Sequence, residues 1–100
     1  MKTKYFSKEE ILKYYGEDIR YNIVEAEIDV DAKMCARICR NVNAQFLKTL
    51  YRDCKLTFSK SKSGNQYYIS TIYEGEIYAR NLAKDKYDFY VALINGTCVI

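Results

Sequence analysis

DAKMCARICRNVNAQFLKTLYRDC, Asp31 to Cys54, is the stretch on which the fold of this 100-residue chain turns. Set at about 100° per residue, Cys35, Ile38, Cys39, Val42, Phe46, Leu50 and Cys54 share one side of a helix. Lys33, Arg37, Arg40, Lys48, Arg52 and Lys55 fall within an arc of about 120° on the other side. The spacing predicts one long helix over Asp31 to Cys54, capped by Asp29 or Asp31, with one face for a core and one for a partner. Its weakest point is Asn41-Val42-Asn43, where poor helix formers predict a kink or a break into two helices.

Upstream, Ile19 to Asp29 reads as extended. Ile19, Tyr21 and Ile23 alternate, and the apolar register then passes to Val24, Ala26, Ile28 and Val30, a switch that predicts a bulge or a crossing between faces. Glu25, Glu27 and Asp29 line one face of that strand, placed for pairing with the basic helix or with solvent rather than for a metal. Further upstream, Ser7 and Glu10 form a capping box for a short helix that Gly16 terminates.

Downstream, Leu56-Thr57-Phe58 begins a strand, residues 61–65 turn, and Gln66 to Tyr73 returns as a hairpin. Glu74-Gly75-Glu76 is a second tight turn into Ile77-Tyr78-Ala79-Arg80. Between Ala79 and Ile94 the apolar residues satisfy both strand and helix periods. Alternation of Phe89, Val91 and Leu93 against Tyr90, Ala92 and Ile94 favours a strand, and Asn95-Gly96 a hairpin into a short last strand at 97–100. With no repeat and no linker, residues 1–100 form a single α+β domain. It has two layers, a long helix and a short N-terminal one on an antiparallel sheet of about four to five strands.

Charge is unevenly placed. The formal net charge is +3, yet residues 32–62 carry eight basic side chains and one acid, Asp53, between two acidic flanks. The basic face has no i,i+4 carboxylates to neutralise it. It also continues into Lys60 and Lys62 and includes Tyr51. Unpaired like charge on one face suits phosphates or an acidic protein surface. Tyr67, Tyr68, Tyr73 and Tyr78 cluster near Lys60 and Lys62. Such interleaving suits nucleic-acid bases, which stack on aromatics at about 1–3 kcal/mol each, or cross-strand pairing within the sheet.

Other chemistry is restricted. The chain has no histidine, which removes Ser-His and Cys-His nucleophile activation and imidazole metal ligation. Cys35, Cys39 and Cys54 read as small core hydrophobes of a reducing compartment, so neither a metal nor a cofactor is expected. There is no apolar run long enough for a membrane span and none behind the charged N-terminus, so a cytoplasmic location is expected. Eleven Tyr with no Pro and no Trp fit AT-rich coding of a phage or mobile element.

Tyr67-Tyr68-Ile69-Ser70-Thr71-Ile72-Tyr73-Glu74-Gly75-Glu76-Ile77-Tyr78 resembles the Tyr-Arg-apolar hairpin of the RelE-like mRNA-cleaving toxins, without the Arg after the first Tyr. The resemblance spans about a third of the chain. It implies a ribonuclease working through Lys60, Lys62, Arg80 and Tyr87. The expectation that best absorbs the charge pattern is different: a non-catalytic binding protein of phage or mobile-element type. It engages a nucleic acid, a nucleoprotein or an acidic protein and inhibits host defence in the anti-CRISPR or anti-restriction manner. Lys33, Arg37, Arg40, Lys48, Tyr51, Arg52, Lys55, Lys60, Lys62 and Tyr67 are its expected contacts. The acidic N-terminal third facing the basic middle of a second copy also allows a homodimer.

Overall fold

The structure, a computed structural model, describes residues 22–96. The expected capping box and short helix at Ser7 to Gly16, the strand residues before Asn22 and the last strand at 97–100 lie outside the described residues. Within them, β1 (Ile23–Val30), α1 (Ala32–Asn41), β2 (Cys54–Lys60), β3 (Tyr67–Tyr73), β4 (Glu76–Leu82) and α2 (Lys84–Ile94) follow one another. The strands form one antiparallel sheet in the order β1-β2-β3-β4. Both helices contribute to one apolar core with the sheet, so the α+β class with an antiparallel sheet holds.

β1 shows why the apolar register switches. Val24 pairs with Ser59 and Ala26 with Phe58, leaving Glu25 as the extra residue of a bulge. Beyond it Ala26, Ile28 and Val30 turn inward while Glu27 and Asp29 stay exposed. Leu56 and Phe58 on β2 and Ile69 on β3 are fully buried beneath the helices. Burial of side chains of this size is worth about 1.5–3 kcal/mol each. At the end of the β3-β4 hairpin Tyr73 pairs with Glu76, so Glu74 and Gly75 make a two-residue loop. Their φ values of 51° and 80° are both positive, as a type I′ turn requires.

The long helix is the principal correction. α1 is ten residues, capped by the Asp31 side chain, which accepts from the Met34 N–H at 2.8 Å. It stops at Asn41, within the weak patch. Asn43 adopts a left-handed φ of 55°. The Asn43 N–H donates to the Arg40 carbonyl at 3.2 Å, and the Ala44 N–H to the Cys39 carbonyl at 2.9 Å. These two bonds are a Schellman ending, with Asn in the position that glycine usually takes. The chain then continues without a helix, Val42 of the ending and Ala44 and Phe46 beyond it being buried at every second residue, and makes only a 3-10 turn at Lys48–Leu50. Cys54 is thus the first residue of β2, not the end of a helix.

The second correction is at residues 84–94, which form α2 rather than a strand. Tyr87 and Tyr90 are buried, and Val91 and Ile94 pack partly against the same core. Spacings of three, four and seven from Tyr87 make a helical stripe, whereas a strand would set Val91 on one face with Phe89 and Leu93, both of which are exposed. Lys84 and Asp88 pair at 2.6 Å across one turn. Asn95-Gly96 is a helix ending, not a hairpin: the Asn95 N–H donates to the Val91 carbonyl and Gly96 has φ 72°. No helix among the described residues is long and apolar enough to cross a membrane.

Candidate functional site

The sheet and α2 leave the outward side of α1 to solvent. Lys33, Arg37 and Arg40 are exposed there, Lys33 one turn before Arg37 and two turns before Arg40. The Schellman ending and the non-helical run after it bring the 3-10 turn back beside the helix. Arg40 and Lys48 thereby border an open groove of about 440 Å³, completed by Ala36, Gln45 and Tyr51. No carboxylate lines it. Lys33, Arg37, Arg40 and Lys48 make no ion pair among the described residues. Arg40 also sits in the last turn of α1, where a cation is favoured by the helix dipole. The loop that carries Lys48 is anchored from within: Phe46 and Leu50 are buried, and the Phe46 N–H donates to the Tyr51 hydroxyl at 2.9 Å.

The other expected contacts are dispersed, because the helix that was to align them ends at Asn41. Arg52 turns to the far end of the sheet, with its guanidinium 5.2 Å from the Tyr73 ring centre. It lines a separate cleft of about 360 Å³ with Asp53, Lys55, Tyr73 and Glu74. Lys55 pairs with Glu27 at 3.5 Å, on the sheet face opposite to that of Leu56 and Phe58. Lys60 pairs with Glu25 at 3.7 Å. Lys62 is exposed in the β2-β3 turn, outside the groove. Tyr67 is half-buried, its ring 4.8 Å from that of Tyr87. Of the ten expected contacts, Lys33, Arg37, Arg40, Lys48 and Tyr51 belong to one surface. Ala36 and Gln45 were missed as groove residues; Ala36 had a signal, being a short side chain four residues before Arg40 on the cationic side.

Of the residues implied by the toxin resemblance, Lys60 and Tyr87 meet at Glu25. Its carboxylate accepts from the Tyr87 hydroxyl at 2.6 Å and also holds Lys60. Tyr87 is 1% exposed, and burial, followed by the bond to Glu25, pushes its phenol well above the ordinary tyrosine range. This cluster ties the β1 bulge to α2, reinforced by the Asn95 side chain donating to the Glu25 carbonyl at 3.0 Å. Arg80 lies on β4 opposite Ile69.

The raised phenol has a consequence for stability. Above pH about 10 the unfolded chain loses the Tyr87 proton while the folded chain keeps it, so folding becomes less favourable as pH rises. The expected decline from this group is about 1.4 kcal/mol per pH unit above that point. Denaturant unfolding between pH 8 and 11 should therefore fall more steeply for the parent protein than for Tyr87→Phe, and parallel profiles would contradict this assignment.

Comparison of the chain with protein-family models, with curated proteins and with solved structures yields no match.

Proposed function

We propose that this chain is a small non-catalytic binding protein whose α1 groove engages the phosphates of a nucleic acid, free or within a nucleoprotein. The observation that supports this reading is that Lys33, Arg37, Arg40 and Lys48 are exposed and unpaired among the described residues, with Arg40 and Lys48 lining a groove that has no carboxylate in its lining. Four like charges on a short segment repel one another, and a polyanion relieves that repulsion while releasing its own counterions. Tyr51 adds an aromatic wall beside the two cations of the groove, suited to a base next to the phosphates it follows. In the cell such a surface would occupy a nucleic acid or the nucleoprotein that handles it. The proposal includes the inhibition of host defence suggested by the AT-rich, histidine-free composition.

A ribonuclease reading has less behind it. Tyr87 is buried with its hydroxyl given to Glu25, and Lys60 is paired with the same carboxylate, so both are engaged in holding the β1 bulge.

The proposal is tested by titrating the protein against fluorescent single-stranded DNA, duplex DNA and RNA at about 50 and 200 mM salt. Neutralising about four phosphates gives an expected loss of affinity of about 50-fold for single strands to 150-fold for duplex across that range. No binding at the lower salt would redirect the groove to an acidic protein surface.

A further inference from the structure

We propose that Cys35 and Cys54 are an oxidisable thiol pair that closes to an intramolecular disulfide when the protein meets a peroxide. The two residues are 19 apart in the chain and sit on different elements, α1 and the first position of β2, yet their Sγ atoms are 3.8 Å apart. Val30, directly before the cap of α1, pairs with Cys54, so the sheet itself brings the helix start against the strand start. A disulfide needs about 2.05 Å between sulfurs, within reach of a small side-chain rotation at each residue.

The two thiols are unequal in ways that give each a role. Cys54 is partly exposed and lines two surface clefts, so an oxidant reaches it first. Cys35 is fully buried behind it. A hydrogen bond from Cys39, one turn on, holds the Cys35 thiol below the ordinary range, which suits it to the second step. Burial raises the Cys54 thiol, so exposure and not acidity gives Cys54 the first step, and the raised thiol slows it. In the first step the Cys54 sulfur attacks one peroxide oxygen; the O–O bond breaks, sulfenic acid forms and one water leaves. In the second Cys35 gives up its proton and attacks the Cys54 sulfur as the thiolate, the S–O bond breaks, and the departing hydroxide takes up the proton so released as a second water. Two thiols and one peroxide thus become one disulfide and two waters.

The ring so closed contains Arg37, Arg40, Lys48 and Tyr51. The bond would restrain the whole segment that builds the groove, most of which, from Val42 to Asp53, lies outside helices and strands apart from the 3-10 turn. The pair itself does not depend on what the groove binds.

Trypsin makes the test unambiguous, because it places Cys35 in Met34–Arg37, Cys39 in Ile38–Arg40, Cys54 in Asp53–Lys55 and Cys98 in the last peptide. The reduced full-length protein is treated with hydrogen peroxide, blocked with N-ethylmaleimide under denaturing conditions, digested without reduction and analysed by mass spectrometry. Expected is Met34–Arg37 joined to Asp53–Lys55 in monomeric protein. The bond should be reversed by dithiothreitol and absent in Cys54→Ser, with a Tm higher by about 5–15 °C in the oxidised form. Pairing of Cys35 with Cys39, pairing of either partner with Cys98, disulfides between chains or unpaired thiols would each overturn the proposal. The expected crosslink with a lowered Tm would likewise overturn it, since the bond would then be forced rather than prepared.

Discussion

Replacing Arg37 and Arg40 together by Glu is expected to weaken nucleic-acid binding by at least about 100-fold at 50 mM salt, without selecting between sequences. The two side chains are exposed on α1 and make no ion pair among the described residues, so their loss removes phosphate contacts rather than folding contacts. Each lost contact lowers the magnitude of the salt slope by about 1, and each carboxylate adds repulsion. Glu at residue 40 also meets the negative end of the helix dipole, at a cost of about 0.3–1 kcal/mol. The paired Arg37→Gln, Arg40→Gln variant therefore serves beside it: its affinity should fall by at least about 10-fold, with a slope smaller by about 2 and Tm within about 3 °C of the parent. Lys86→Glu, a cation on α2 outside the groove, should change affinity by less than about 3-fold. If Lys86→Glu loses as much affinity as the Arg37→Gln, Arg40→Gln pair, which lowers the net charge by the same two units, the groove is not the site and binding reflects net charge alone.

Phe58→Ala should have the largest effect on the fold. Phe58 is fully buried at the centre of the sheet, with its ring 5.8 Å from that of Tyr90 and 6.4 Å from that of Tyr87. The Tyr90 hydroxyl in turn accepts from the Asn41 side chain at 3.0 Å. The one ring therefore supports α2 directly and α1 through it. Its removal leaves a cavity beneath both helices, at an expected cost of about 3–5 kcal/mol. Small domains are stable by about 5–15 kcal/mol, so a Tm lowered by about 15 °C or more is expected, with a loss of cooperativity near physiological temperature. Phe89→Ala, one residue from Tyr90 but 51% exposed, should cost less than about 1 kcal/mol. Thermal unfolding followed by circular dichroism separates the two, and equal losses would show that the stripe of α2 is misassigned.

The hairpins were the most legible part of the chain. Glu74-Gly75 and the serine-rich run before Gly64 are local instructions: a two-residue loop needs positive φ at both positions, and few residues supply it. The bulge at Glu25 was legible too, since a period of two cannot change face without an extra residue. α2 was not, because Tyr87 to Ile94 is apolar at too many positions for either period to exclude the other. What decided it was that Tyr87 and Tyr90 find Phe58 beneath them while Phe89 and Leu93 remain outside.

The candidate site divides in the same way. Lys33, Arg37 and Arg40 share a face because α1 is a helix, and its period places them together whatever it packs on. Lys48 and Tyr51 join them for a different reason, since the residues between are not helical. Val42, Ala44 and Phe46 alternate into the core, and that alternation was hidden under an equally good helical pattern. The sequence by itself determined the class of the fold, the strands and turns of the sheet and a cationic face on one helix, all of which follow from neighbours within a few residues. Only the tertiary structure decided whether a helix resumes beyond the weak patch at Asn41 to Asn43, which cations the groove gathers and which Glu25 and Glu27 neutralise. Those outcomes depend on burial against residues distant in the chain, and a local period cannot encode which surface it will meet.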